Sequence, residues 1–197
     1  DGSSWFAWLP NIHELLSGVK RPADLRLAHR PRVGRPGPRF VRATVAAIDA
    51  AAGRLVTSGG RSFGFDACIV AVGGVHETFG VPGAARYAMS FKGVDDCDAI
   101  GRRLAQLALR PGRHSVVIVG GGLEGIEAVG EILRRFRDRD AFEVSVVEAG
   151  ARLLPGTPPA LDAAVRAHCA RHEVRILTRS RVTSVTAGRV RLDTGET

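Results

Sequence analysis

Three glycines carry the clearest chemical signal in this 197-residue chain. Gly120, Gly122 and Gly125 follow the apolar run Val116–Val119 and open a helical pattern, so that Val116–Gly125 reads VVIVGGGLEG. A lone G-x-G-x-x-G is a weak signal, but an apolar strand before it and an amphipathic helix after it supply the context the motif needs. The first glycine permits a tight turn. The second lets the backbone approach a pyrophosphate, and the third lets helix and strand pack closely. The helix N-terminus then offers free N–H groups and a partial positive charge to the phosphates. Gly121, Leu123 and Glu124 complete the turn. The spacing therefore predicts a dinucleotide site.

An acidic residue at the end of the next strand is the second requirement. Glu148 closes VSVVE about 23 residues beyond Gly125. Its carboxylate would accept hydrogen bonds from the adenosine ribose and repel a 2′-phosphate, which favours NAD(H) over NADP(H). Arg152, four residues later, softens that preference. Glu124 and Glu127 both suit the positive end of the helix. Glu127 lies one turn in and faces either the nicotinamide side of the site or solvent.

Other chemistries find little support. His168 and His172 share a helix face, but no acidic third ligand is near, so no metal site is expected. There is no G-x-S-x-G elbow and no nucleophile–base pair. Cys68, Cys97 and Cys169 are far apart and lack C-x-x-C spacing, which argues against a redox disulfide or a zinc knuckle. Thiols in a reducing compartment are the simplest reading, with Cys68 a small core residue inside an apolar run. The net charge of +8 comes almost wholly from arginine. These arginines are scattered, as in Arg102–Arg103 and Arg134–Arg135, without a basic block interleaved with aromatics. Specific nucleic-acid binding is therefore not expected, whereas an anionic cofactor or an anionic membrane face would suit the charge.

The elements that must hold these residues can be read from periodicity. Residues 1–39 are irregular, with a short helix at Ile12–Leu16. Lys20–Arg39 reads as a loop that either wraps a neighbour or is mobile. Residues 40–75 read as β structure: strands at Phe40–Ile48, Arg54–Thr57 and from Ser62 to Phe65, then the continuous apolar run Ala67–Val72, typical of a strand covered on both faces. A linker over 76–92 turns at Phe79–Gly83. A helix follows at Val94–Leu109 and stops at Pro111–Gly112. Beyond it the pattern is β–α–β: a buried strand Ser115–Val119, helix Gly122–Phe136, strand Phe142–Glu148, helix Pro158–His172 and strand Val174–Leu177. Ile126, Val129, Ile132 and Leu133 line one side of the first helix, and Leu161, Ala164, Val165 and Cys169 are spaced for burial on the second. Arg181–Val185 and Arg189–Leu192 form a hairpin. Alternating strands and helices predict an α/β fold with a parallel sheet. No run of 18 apolar residues occurs that would span a membrane. The start at Asp1 and the end on LDTGET read as a piece of a longer protein.

At this level of detail the sequence resembles the FAD-dependent pyridine nucleotide-disulfide oxidoreductases, and within them the type II NADH dehydrogenases. Pro10–Gly18 (PNIHELLSG), Phe65–Gly74 (FDACIVAVGG) and Val116–Ile132 (VVIVGGGLEGIEAVGEI) carry the resemblance. It implies a Rossmann-like NADH-binding domain at 88–197, and at 1–87 a partial FAD-binding domain that includes a β-meander. It places Ala43 and Val45 at the adenine of FAD, and Ala71, Val72 and Gly73 at a second flavin contact, where Val72 stands in place of the family's threonine. It puts Glu127 near the nicotinamide and flavin as the catalytic candidate. The implied cofactors are NAD(H) and, in an intact parent, FAD. The implied partners are NADH and a quinone or similar electron acceptor. The resemblance admits a homodimer and a cytoplasmic location, with peripheral attachment to the inner face of a membrane for the parent. A sulfide:quinone or disulfide reductase, or a non-catalytic nucleotide-sensing domain, are the alternatives.

Overall fold

The computed structural model describes residues 1–29 and 39–195. These fall into two compact units, Asp1–Trp8 with Ala23–Gly74, and Leu9–Pro22 with Val75 onward.

The first unit is built from antiparallel pairs. Strand β1 (Trp5–Ala7) pairs with β2 (Arg26–Ala28), in a region that reads as irregular from sequence. The loop expected at Lys20–Arg39 contains a 3-10 turn at Pro22–Leu25 ahead of β2, and its residues 30–38 lie outside the described residues. Strands β3 (Val45–Asp49), β4 (Arg54–Thr57) and β5 (Ser62–Gly64) form a three-stranded meander. Gly53 makes the β3–β4 turn by adopting φ +58. The strand expected at Phe40–Ile48 is shorter at its N-terminal end.

The strand expected at Ala67–Val72 does not form. No strand pairs with it among the described residues, and Ile69 and Val72 are 91% and 85% exposed. A strand exists only through the ladder of a neighbour, so an apolar run without one stays extended and wet. Cys68 is accordingly exposed rather than a core residue.

The second unit is the Rossmann-like α/β layer. Helix α1 (Glu14–Ser17) follows a 3-10 turn, and α2 (Ala84–Tyr87) follows the turn at Phe79–Gly83. Helix α3 (Val94–Leu107) starts where the Asp96 carboxylate accepts the Gly93 N–H at 3.1 Å, a capping arrangement that satisfies an orphan donor. Strand β6 (His114–Val119), helix α4 (Leu123–Phe136), strand β7 (Phe142–Glu148), helix α5 (Pro159–Arg171) and strand β8 (Arg175–Thr178) follow in alternation. The sheet is parallel, in the order β6-β7-β8. Strands β9 (Val182–Thr186) and β10 (Arg189–Leu192) make the expected hairpin.

The core is aliphatic, as the composition implies. Val144, Val146 and Val147 of the central strand β7 are buried, as are Ala128, Val129 and Ile132 of α4. Phe136 closes this layer edge-on against Phe142, with centroids 5.0 Å apart. Two expectations fail in an instructive way. Strand β6 is not buried throughout: Val119 is 60% exposed, because β6 is the edge of the sheet formed by the described residues. On α5, Leu161 and Ala164 are exposed while Cys169 is buried. The inward stripe is Asp162, Val165, Arg166 and Cys169, offset from the apolar pattern because Asp162 has a structural task in the site described below.

These burials give the cysteines distinct reactivity. Burial, with the nearby carboxylates of Asp96 and Glu124, pushes the Cys97 thiol up to about 12. Burial also raises Cys169. The thiolate is the reactive form. With Ellman's reagent at neutral pH the folded chain is therefore expected to react at Cys68 alone, and all three thiols only in denaturant. Prompt reaction of more than one thiol in the native state would contradict this burial pattern.

Candidate functional site: a dinucleotide loop closed on a carboxylate

The loop between β6 and α4 is held from three sides. Gly120 takes φ +106, a region closed to residues with a side chain, and its N–H donates to the Val147 carbonyl at 2.8 Å. A Cβ on Gly125 would fall inside the Gly120 carbonyl oxygen. The third glycine therefore sets how closely α4 packs on the turn. A Cβ on Gly122 would meet nothing within 4 Å. Space thus remains beside the second glycine, at the start of α4, where the first backbone N–H groups have no intrahelical partner.

Glu148 closes the other side. Gly121 N–H donates to its Oε2 at 2.7 Å, and Gly150 N–H donates to Oε1 at 2.5 Å. A carboxylate oxygen has two lone pairs, so each keeps an acceptor site for a ribose hydroxyl. The segment after β7 is pinned in turn. Leu154 N–H donates to the Gly121 carbonyl at 2.8 Å, Arg152 donates to the Thr157 carbonyl at 2.6 Å, and Leu153 N–H donates to Asp162 at 2.8 Å. Arg166 also donates to Asp162, and that hydrogen bond, foremost, holds the Asp162 carboxyl below the usual carboxylate range. Arg152 is thus tied to its own loop through one nitrogen, while its Nη1 is buried without a hydrogen bond.

The structure brings Gly120, Gly121, Gly122, Leu123, Glu124, Gly125 and Glu148 to one loop. Leu123 and Glu124 are exposed at the head of α4, and Glu124 pairs with Lys92 at 2.9 Å. Glu127 lies one turn further along α4, with its Oε2 3.6 Å from His13 Nδ1. Of the flavin candidates, Ala43 donates its N–H to Asp1 and Val45 opens β3. Ala71, Val72 and Gly73 lie in the unpaired extended run, where Gly73 has φ +73 and open space beside it. These five belong to the other unit. Lys92, His13 and Gly150 escape a sequence reading. Only Gly150 leaves a trace, as a glycine two residues after the strand-ending glutamate. Among the described residues no group of His, Cys, Asp and Glu is placed to hold a metal ion.

The family model for pyridine nucleotide-disulphide oxidoreductases matches residues 2–197. The chain belongs to this family. Among curated proteins, it is 29% identical to a type II NADH:quinone oxidoreductase of Staphylococcus epidermidis over 160 residues, covering 73% of this chain and 40% of that protein. Among solved structures, its fold matches NDH2 from Plasmodium falciparum in complex with NADH, with a TM-score of 0.78 at 19% identity over 97% of this chain and 44% of that one. It also matches the sulfide:quinone oxidoreductase of Aquifex aeolicus, with a TM-score of 0.83 at 17% identity over 98% and 48%. At those identities the two structures establish the fold alone. The chain spans less than half the length of each of these proteins. No helix among the described residues is long and apolar enough to cross a membrane.

Proposed function

We propose that this chain carries the NADH-binding domain (88–197) and part of the FAD-binding domain (1–87) of a flavoprotein oxidoreductase. In that protein hydride passes from NADH to FAD, and electrons then pass to a quinone or similar acceptor. The observation that carries the reading is the glycine turn closed on Glu148, with room left beside Gly122 at the head of α4. The pyrophosphate of NADH would rest on the N–H groups of Gly122, Leu123 and Glu124. The adenosine ribose would bind Glu148, and the nicotinamide would extend toward Glu127. Arg152 keeps one nitrogen on the Thr157 carbonyl, and the preference for NADH would rest on the charge of Glu148.

The flavin contacts would come from Ala43 and Val45 and from the open backbone of Ala71, Val72 and Gly73. FAD, when bound, supplies the electron acceptor, while the protein supplies binding and orientation. A disulfide-reductase variant finds no support among the described residues, since Cys97 and Cys169 are buried with raised thiols and Cys68 belongs to the other unit.

Titrating the 197-residue chain with NADH and NADPH by calorimetry tests the reading. NADH is expected to bind at least about 10-fold more tightly, a difference of about 1.4 kcal/mol. Binding of neither nucleotide would remove it.

A further inference from the structure

Glu127 is the carboxylate this reading sets beside the nicotinamide, and its partner is a histidine from a distant part of the sequence. His13 Nδ1 lies 3.6 Å from Glu127 Oε2. That nitrogen is sealed from solvent and has no hydrogen bond. A buried ring nitrogen with no bond is costly unless a partner is close, and the Glu127 carboxylate at 3.6 Å lies just beyond hydrogen-bond distance.

The placement of His13 is fixed by its surroundings. It stands at the N-terminal edge of α1, which packs on both α3 and α4. Leu15 and Leu16 are buried, and the Arg135 guanidinium of α4 donates to the Leu16 carbonyl at 3.0 Å. A Cβ on Gly101 of α3 would run into the Leu15 carbonyl oxygen, so α1 lies against α3 at backbone contact. The neighbouring charges have partners of their own. Glu14 accepts from Asn11 at 3.1 Å, Glu124 from Lys92 at 2.9 Å, and Glu131 from Arg134 at 3.1 Å. Glu127 is the acidic residue of α4 whose partner is an imidazole.

We propose that His13 is the positioning residue of Glu127, holding its carboxylate and sharing a proton with it at the nicotinamide end of the site. This rests on the proposed NADH reading for the location of Glu127. The pair itself rests on the geometry. An imidazole offers one ring nitrogen to the carboxylate and a second to another partner, which sets His13 apart from the Lys92 and Arg134 partners of the other two glutamates.

Ring-nitrogen NMR of the 197-residue chain tests this. The His13 Nδ1 resonance is expected to shift in Glu127→Gln while amide signals of β7 and β8 stay in place. Addition of NADH is expected to shift the His13 ring signals more than ADP-ribose, which has the adenosine and pyrophosphate but no nicotinamide. A His13 ring indifferent to Glu127→Gln overturns the pairing. Equal shifts with both nucleotides overturn its place at the nicotinamide end. Failure of both nucleotides to bind sinks the NADH reading and that location with it, while the Glu127→Gln response still decides the pair. Should Glu127→Gln not fold, Glu127→Asp, which draws the carboxylate back by one methylene, takes its place, and a His13 ring indifferent to it overturns the pairing.

Discussion

Replacing two glycines of one loop by alanine is expected to give opposite results. Gly125→Ala should destabilise the fold, whereas Gly122→Ala should leave the fold intact and weaken nucleotide binding. The Gly125 Cβ would enter the Gly120 carbonyl oxygen, and backbone must move to relieve it. Gly120 cannot yield easily, because it sits at φ +106 with its N–H bonded to Val147. Overpacking of this kind costs about 3 kcal/mol, a large part of the stability of an ordinary domain. At roughly 4 °C per kcal/mol the midpoint should fall by about 12 °C.

Gly122 has ordinary dihedrals, φ −74 and ψ −173, and open space where a Cβ would go. Alanine there should change stability by less than about 0.5 kcal/mol. It would, however, fill the space the pyrophosphate needs, and NADH affinity should fall by about 100-fold. Circular dichroism melts and calorimetry on the same two variants check both halves. A Gly122→Ala chain that binds NADH normally would show that the open space is not the ligand's.

Glu148→Ala carries the second large effect, and it acts on stability and specificity together. It strips the hydrogen-bond acceptor from the N–H groups of Gly121 and Gly150. Bonds to a charged acceptor contribute about 1.5–3 kcal/mol each, and because the two share one side chain the loss should total about 3 kcal/mol rather than their sum. Glu148→Gln keeps one acceptor oxygen and should lose about half as much. NADH should bind at least 10-fold more weakly to either variant, and the preference over NADPH should narrow as the negative charge goes. Urea unfolding and paired NADH and NADPH titrations measure these separately. Loss of stability with an unchanged NADH:NADPH ratio would leave Glu148 as a clamp and refute its contact with the ribose.

The two expectations draw on different kinds of information. The glycine spacing, the strand before it and Glu148 at the end of the next strand were legible because each is a local pattern with one structural solution. So were the β–α–β order and the parallel sheet, which follow from hydrophobic period. The meander at β3–β5 was legible from its turns. The run Ala67–Val72 was misread because apolar composition says that a strand would be buried, not that a partner is present to bury it. The α5 face was misread for a similar reason. Asp162 and Arg166 turn inward to fasten Leu153, and a polar anchor of that kind leaves no trace in periodicity.

The sequence by itself determined that a strand, a glycine turn and a helix meet at Val116–Gly125, because turn conformation and amphipathicity are properties of neighbours along the chain. Tertiary structure decided the rest. It showed that Glu148 is tied to Gly121 and Gly150 through both oxygens, that Arg152 donates to the Thr157 carbonyl, and that His13 stands beside Glu127. Residues so distant in sequence meet only through the packing of α1 on α4 and of the β7 loop on the glycine turn. That packing depends on the summed contacts of the core, which no local pattern encodes.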